Sequence, residues 1–565
     1  VKLCVSRGAK KRLPRAARRR MTTGLRRLVK SSDVMTGYLA GDQEIDVYVE
    51  KPSYWGYVDW PIESLADLRK LMREVLKKDG MKGVKRCLRA NQNRSKVLRL
   101  NRPVYGLPSA GAEFGMLVVY VMTRILKLVR SDVDPAMYYK TDGQLVCQLG
   151  PFAKGIERYT VDEESVAELQ KQGAEVLLPY RRDSCWTRSY LVVLTWTDDF
   201  PYAGTDQLVK WYEDNAKIHL PLTFEPVCED FVSIEVKQDM ERMLKWLTHS
   251  KYCLAMGVKY SEYLKCRRTL KHPMKPATEK FLLSHKPTDE EFNSVSNFPY
   301  REVMGTVAFP ACHTKIECRG AVSVLSRFMS KWSRPAIEGL LDCMGYMVYS
   351  HDLGVCFSYG LDWHGINTPY GFTDSSLNPP TSMGGNNAKM NGACIAANAK
   401  KHTLVDASTT MAELVEAFNA SQCLVGIRNM HKEMGITVNA PTTLYCDCDP
   451  AIKVVSGDRS MTESSRALDL KIWKLRERQD VQEIDLEWCS TVLQESDINT
   501  KSLPLRQFKF LRELLNGYAL VMLHYPELKM PEAALTRVEL VQMFREYKEA
   551  EDKRQEAAAK KKAKL

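Results

Sequence analysis

The sequence predicts an α+β fold. Short runs of β-forming residues bounded by turn residues recur in two separated regions of the 565-residue chain. A long helical stretch, Tyr300–Gly360, lies between them, and the second region mixes strand-like with helix-like segments. In chain order, "LAGDQEIDVYVEKP" (Leu39–Pro52) alternates loosely and ends in proline, as a strand after a turn does. "NRPVYGLPSAGAEF" from Asn101 is a Pro/Gly-punctuated turn that opens an amphipathic helix, Phe114–Val129. Tyr190–Thr197 is a strand and "DDFPYAG" a turn, which together predict a hairpin. "FVSIEVKQD" and "RMLKWLTHSKY" read as a strand pair. "GFTDSS" and "GACIAANAK" read as strands. The segment "STTMAELVEAFNASQCLVGIRNMHKEMG" reads as a helix with Gly435 as its C-terminal cap. "TTLYCDCDP" is a strand running into a helix, with Asp449 as N-cap and Pro450 at the first position. The end, "YKEAEDKRQEAAAKKKAKL", reads as a solvated helix fraying into a disordered tail.

Composition narrows the function classes. Hydrophobic content of 44% and charged content of 27% describe a globular chain. Charged and polar residues break up its longest apolar run, Phe114–Val129, so no membrane span is expected. The net charge of +13 favours a polyanionic partner. Residues Val1–Lys30 carry twelve Lys/Arg and no acid, which suits nucleic acid, a nuclear address or an acidic surface alike. The sixteen cysteines include no Cys-x-x-Cys pair, so reduced thiols in an intracellular protein are expected. The chain begins with Val, and a fragment of a longer product is expected.

In "LVVLTWTDDFPYAGTD" two aspartates, Asp198 and Asp199, follow a buried-looking strand. A polar hairpin tip is the plain explanation. The functional one is a divalent-cation site, since Mg²⁺ takes hard oxygen ligands from a few carboxylates and substrate phosphates. A phosphoryl-transfer site of that kind needs a further carboxylate from elsewhere in the chain. "SSDVMTGYLAGDQEIDVYVEKP" offers Asp33. That segment, "VYGLPSAGAEF" from Val104, "WTDDF" from Trp196, "FVSIEV", and "YREVMGTVAFPACHTKIECRGAVSVLSRFMSKW" together resemble the reverse transcriptases of copia-type long-terminal-repeat retrotransposons. The match runs in family order over roughly residues 28–360. The resemblance implies that Asp33 and Asp198 are the principal metal ligands, with Asp199 in support. Tyr38 would be the steric gate against a ribose 2′-hydroxyl. Gly106 and Ser109 would lie under the template and incoming nucleotide.

Four later motifs, "YGFTDSS", "STTMAELVEAF", "LYCDCDPAI" and "SDINTKSLP", resemble the family's ribonuclease H domain. They imply a second set of metal carboxylates: Asp374, Glu413, Asp447 and Asp497. Each has a plainer reading. Thr410-x-x-Glu413 has the form of a capping box. Asp497 could be an N-cap. Asp374 could sit in a turn before Pro379, and Asp447 could simply end a strand.

The chain departs from the family pattern in several places. Asp33 follows Gly8 after only 25 residues, which implies shortened fingers. Pro108-Ser109 replaces the usual Lys-Gln, Cys448 replaces Asn, and Ala467 replaces a His. The expected fold is therefore α+β: a partial right-hand polymerase (palm, reduced fingers, thumb/connection) followed by a ribonuclease H-like mixed α/β domain. The expected boundaries are 1–255, 256–365 and 366–515, with a charged helical tail at 516–565. The expected function is RNA-directed DNA synthesis plus hydrolysis of RNA in hybrids, with polymerisation impaired. Two Mg²⁺ or Mn²⁺ ions per active site are expected. The expected partners are an RNA template, a DNA primer, the RNA–DNA hybrid and deoxynucleoside triphosphates, with no membrane. The expected location is a cytoplasmic particle or the nucleus. The rival reading is a non-catalytic nucleic-acid-binding remnant.

Overall fold

The structure, a computed structural model, describes residues 29–34, 47–50, 97–100, 110–149, 184–265, 270–365, 367–377, 382–403, 406, 408–434, 440–458 and 469–562. Tyr38, Gly106, Ser109 and Gly435 lie outside the described residues, and Asp33 is described in its backbone only.

The first strand, β1 (Lys30–Val34), is followed by a separate antiparallel pair, β2 (Val47–Glu50) and β3 (Val97–Leu100). Helix α1 (Ala110–Tyr120) comes next and continues as one π turn, Val121–Ile125. As the apolar pattern predicts, Phe114, Val118, Val121 and Met122 are buried. Strands β4 (Val129–Arg130), β5 (Met137–Leu149), β6 (Ser184–Leu194) and β7 (Asp199–Gly204), helix α2 (Asp206–His219) and strand β8 (Leu222–Glu225) complete the first unit. Its sheet runs β4-β5-β6-β7-β1-β8, so the strand earliest in sequence sits between two much later ones. Lys30 Nζ bonds Glu213 of α2 at 2.7 Å. The backbone N–H and C=O of Val29 both pair with the Gln238 side chain at 3.0 Å. These contacts hold β1 from outside the ladder.

The expected strand pair is present, flanked by two further strands. Strands β9 (Asp230–Phe231), β10 (Ile234–Asp239), β11 (Leu244–Thr248) and β12 (Val355–Ser358) form an antiparallel sheet in the order β12-β11-β10-β9. Between β11 and β12 lie α3 (Ser250–Lys259), α4 (Pro276–Ser284), α5 (Asp289–Val295), α6 (Tyr300–His313), α7 (Arg319–Ser326) and α8 (Arg334–Tyr349). A true capping box, Thr288 with Glu291, opens α5. Tyr300, Val307, Leu325, Leu340 and Met344 meet in this region's core.

A five-stranded mixed sheet follows, with order β15-β14-β13-β16-β17. Its strands are β13 (Tyr370–Ser376), β14 (Met383–Met390), β15 (Ala393–Lys401), β16 (Thr442–Cys446) and β17 (Ile484–Trp488). The first three form an antiparallel meander, and β16 and β17 run parallel to β13. The crossovers are helical: α9 (Thr409–Glu433) before β16, then α10 (Asp449–Ser456) and α11 (Asp469–Asp480) before β17. This is the mixed α/β layout expected of a ribonuclease H-like unit, and it follows an α+β part. After it come α12 (Asp497–Thr500), α13 (Leu505–Leu515), α14 (Tyr518–His524) and α15 (Arg537–Lys562). Phe508, Phe510, Leu511 and Val521 of α13 and α14 join the core built by α4–α8.

Sequence reading does not anticipate β14. Its segment, "MGGNNAKM", is poor in β-formers. The glycine pair explains why it is nonetheless a strand. A Cβ on Gly385 would meet Thr500 Cγ2 at 2.6 Å and Asn499 Cβ at 2.8 Å, and one on Gly384 would strike the Glu416 carboxylate. The side chains are missing because α9 and α12 pack directly on the backbone. At the start of α9, the N-cap is Ser408, whose hydroxyl accepts from Met411 N–H at 3.2 Å. Helix α10 takes Cys448 as N-cap, with Asp449 as its first residue and Pro450 as its second, so it starts one residue earlier than expected. Among the described residues no helix is long and apolar enough to cross a membrane.

Candidate active sites

The hairpin predicted from "LVVLTWTDDFPYAG" is present. Trp196 and Asp199 exchange both backbone hydrogen bonds at 2.9 Å around a two-residue turn, Thr197-Asp198. Thr197 takes a φ of 54°, a conformation that a β-branched residue rarely adopts. Tight hairpins need this positive φ because it matches the strand twist. Asp198 is therefore presented at the tip, half-buried, with Asp199 exposed beside it. The ladder between β1 and β7 aligns Asp33 with Asp199. Directly opposed residues in such a ladder have Cα atoms ~4.5–5.5 Å apart. The backbone register thus places Asp33 beside Asp199, with Asp198 one residue away in the turn.

The second set converges more completely. Asp374 lies within β13, in mid-strand and buried, not in a turn. Glu413 lies in the second turn of α9, and its Oε1 accepts from the Ser375 backbone N–H at 3.1 Å. It does not cap its helix, since Ser408 does that. Asp447 follows the end of β16, and its Oδ2 accepts from Thr491 Oγ1 at 2.8 Å. Asp497 is the first residue of α12 and is 1% exposed. Its segment is tied to the sheet by Gln494 Nε2, which donates to Thr373 O at 2.9 Å, and by Asn387 Nδ2, which donates to Ser496 Oγ at 3.2 Å.

Electrostatics bind these four carboxyls into one cluster. Burial, then repulsion from Asp374 and Asp447, pushes Glu413 well above the usual carboxylate range. Burial and Asp374 also raise Asp447, against the opposing Thr491 hydrogen bond. The same two causes push Asp497 up to about 8, despite its Lys501 partner. Glu413, Asp447 and Asp497, crowded around Asp374, thus favour either protons or a cation. Lys501 supplies part of that charge, with its Nζ 2.8 Å from Asp497 Oδ1 and 3.8 Å from Asp374 Oδ2. Thr500 donates its hydroxyl to Asp374 Oδ2. Neither Thr500 nor Lys501 is singled out in the sequence reading, though both lie within "SDINTKSLP". Their signal is the spacing from Asp497, which returns Lys501 to the same face one helical turn on.

The donor set fits a hard divalent cation. Ligand atoms of Glu413, Asp447 and Cys446 lie within 4.8 Å of one another. Burial holds the Cys446 thiol well above its ordinary value, and a neutral thiol is a poor Mg²⁺ ligand. The carboxylate oxygens of Asp374, Glu413, Asp447 and Asp497 are the appropriate donors.

No protein-family model matches the chain. Among curated proteins, it is 20% identical over 502 residues to the retrovirus-related Pol polyprotein from transposon TNT 1-94 of Nicotiana tabacum. That alignment covers 87% of this chain and 31% of the relative, so the chain spans about a third of the relative's length. Solved structures with partial likeness include the RNase H1 of Halobacterium salinarum NRC-1, with 13% identity over 23% of this chain and 90% of that one, TM-score 0.18. LC11-RNase H1 in complex with an RNA/DNA hybrid gives 11% identity over 23% and 93%, TM-score 0.20. The foamy viral protease-reverse transcriptase in complex with dsDNA gives 12% identity over 86% and 71%, TM-score 0.34. By sequence, the chain is a relative of a retrotransposon Pol polyprotein.

Proposed function

We propose that the chain is the reverse transcriptase and ribonuclease H portion of a copia-type element, and that hydrolysis of RNA in RNA–DNA hybrids is its better-preserved activity. The carrying observation is the meeting of Asp374, Glu413, Asp447 and Asp497, from four separated elements, in one buried cluster. These residues would hold two Mg²⁺ or Mn²⁺ ions, which supply Lewis acidity and an activated water for phosphoryl transfer. The protein's own part is positioning. Ser375 N–H orients Glu413, Thr491 orients Asp447, and Thr500 orients Asp374. The hybrid would be held through its phosphates, with little sequence preference.

Polymerisation is assigned to Asp33, Asp198 and Asp199, with Tyr38, Gly106 and Ser109 contacting template and deoxynucleoside triphosphate. The Asp33–Asp199 register supports this assignment. The short spacing from Gly8 to Asp33 argues for fingers that grip the triphosphate poorly. Poor positioning of that kind costs orders of magnitude in rate. The proposed setting is intracellular, in a cytoplasmic particle or the nucleus.

The test is hybrid cleavage and primer extension with Mg²⁺, run side by side on wild type, Asp447→Asn and Asp198→Asn. Cleavage that exceeds extension, and that is lost in Asp447→Asn alone, supports the assignment. Efficient extension without cleavage would reverse the ordering of the two sites. Hybrid binding with neither activity would make the chain a non-catalytic binding remnant.

A further inference from the structure

On the sheet face that carries the acidic cluster lies a cavity of about 310 Å³ that the hydrolytic chemistry does not use. Strand alternation explains its position. Tyr370, Phe372 and Asp374 occupy every second position of β13 and so face the same way, with ~7 Å between successive members. Tyr445 stands on β16 two residues before Asp447, and it packs with Tyr370, Phe372 and Cys489. The aromatic row therefore runs directly into the carboxylates.

The lining specifies what the cavity can accept. One wall is aromatic, with the Phe372 and Tyr445 rings 5.0 Å apart and His364 stacked on Tyr370 at 3.4 Å. Trp363 and Trp488 stand at the cavity and are 43% and 51% exposed, although both are large and apolar. The charged floor is already neutralised. Lys389 Nζ bonds both oxygens of Glu495, at 2.8 and 2.7 Å, and Leu514 O at 2.8 Å. All three ammonium protons are thus spent, and none is left for a phosphate. Asp362 is spent in the same way, on His364 and on Gly392 N–H. One lining group differs. Ser490 is 2% exposed, and its hydroxyl has no hydrogen-bond partner. Buried hydroxyls are normally satisfied.

We infer that this cavity is a binding site for one nucleobase, stacked against the aromatic wall and hydrogen-bonded by Ser490. The occupant is planar because the wall is aromatic. It is uncharged because the floor offers no free charge, and it carries an edge donor or acceptor because Ser490 needs one. The choice of a nucleobase over other planar heterocycles rests on the proposed hydrolytic function of the adjoining cluster. The base belongs either to a free nucleoside or to a strand held at that cluster.

The test uses the full chain in EDTA, so that no turnover occurs. Tryptophan fluorescence is followed during titration with the four ribonucleosides and, separately, with an RNA–DNA hybrid or the same hybrid carrying single abasic sites. Polarisation of a labelled hybrid is measured in parallel. The inference expects saturable quenching that Trp488→Phe reduces. Ser490→Ala should weaken binding about three- to tenfold. Leu523→Phe, which adds bulk to the cavity lining, should weaken it at least tenfold. Thermal melting establishes that each variant is folded, and Ser490→Ala carries the test if Leu523→Phe is not. Quenching by free nucleosides identifies a nucleoside site. Quenching by the hybrid alone, abolished by one abasic position, identifies a strand's base. Absence of quenching in both arms, with hybrid polarisation intact, overturns the cavity's role and leaves the hydrolytic reading standing. Quenching by nucleosides without any hybrid binding supports the site and removes that reading instead.

Discussion

Asp497→Asn should stabilise the ion-free protein at alkaline pH clearly more than it does at pH 5. The Asp497 carboxyl is buried against Asp374, which holds its folded value at about 8 against an ordinary 3.8. The folded state therefore binds this proton more tightly than the unfolded chain does. The resulting stability is fully present below about pH 3.8 and is lost as pH rises through 8. The amide resembles the protonated acid but cannot ionise, so it avoids the loss. Those two values cap the penalty at roughly 5–6 kcal/mol. Relaxation and water entry reduce such figures, and roughly 1–3 kcal/mol is expected. That corresponds to ~3–8 °C in melting temperature for a unit of ~150–250 residues. The assay is thermal melting in EDTA at pH 5 and pH 8.5. At the higher pH, Mg²⁺ should raise the wild-type midpoint more than that of the variant, because it neutralises a charge the variant lacks. A variant that melts below wild type at pH 8.5 in EDTA would refute the reasoning. It would mean that the Asp497–Lys501 pair outweighs the repulsion it is set against.

Three further outcomes are expected. Asp447→Asn should cut hybrid cleavage by more than about 100-fold, beyond the usual cost of losing a residue that only supports a metal ligand, while Asp198→Asn leaves cleavage within about twofold; gel assays of labelled hybrid decide it. His402, between Asp406 at 2.8 Å and Glu416 at 3.2 Å, is pulled down by burial but raised more by those two hydrogen-bonded carboxylates, so its net shift is upward. Its contribution is complete below about pH 6.5 and fades as pH rises through the higher folded value, so His402→Gln should cost more stability at pH 6 than at pH 9, and equal costs in denaturant titrations would dismiss the ion-paired imidazolium. Deleting residues 1–28 should flatten the salt dependence of single-stranded RNA binding by about 0.7 in log–log slope for each phosphate that those residues neutralise, and an unchanged slope would place their charges in solvent.

Asp198 and Asp199 stood out as a pair costly to place at the end of a buried strand, whereas Asp33, Asp374, Glu413, Asp447 and Asp497 were legible only through the resemblance of the motifs that carry them. Their partners were not. Thr500 and Lys501 matter only once α12 folds against β14, and Thr491 matters only once β17 delivers it to Asp447. Local pattern failed at β14 for a related reason, since its glycines record what packs above them, not the strand's own preference. Capping signals misled at Thr410, where Glu413 was needed elsewhere and Ser408 took the cap. Local pattern marked the stretch that holds α6–α8 as helical but not α13 and α14 as its partners, because a local pattern never names the neighbour a helix packs against.

The position of β1 has a consequence for how the chain can assemble. Its backbone pairs on one side with β7 and on the other with β8, both formed from residues more than 160 positions later. Until those segments exist, the early strand has no ladder to join. Until it joins, β7 and β8 each present a row of unpaired amides to the same gap, the kind of open edge that recruits other chains. The five-stranded sheet around Asp374 faces no such wait, because its strands lie within about 120 residues of one another, and nearer contacts close faster. In refolding from denaturant, the protein should regain the Asp374 unit first. The insertion of one five-residue strand would then set the pace for the rest and mark the interval of greatest aggregation risk.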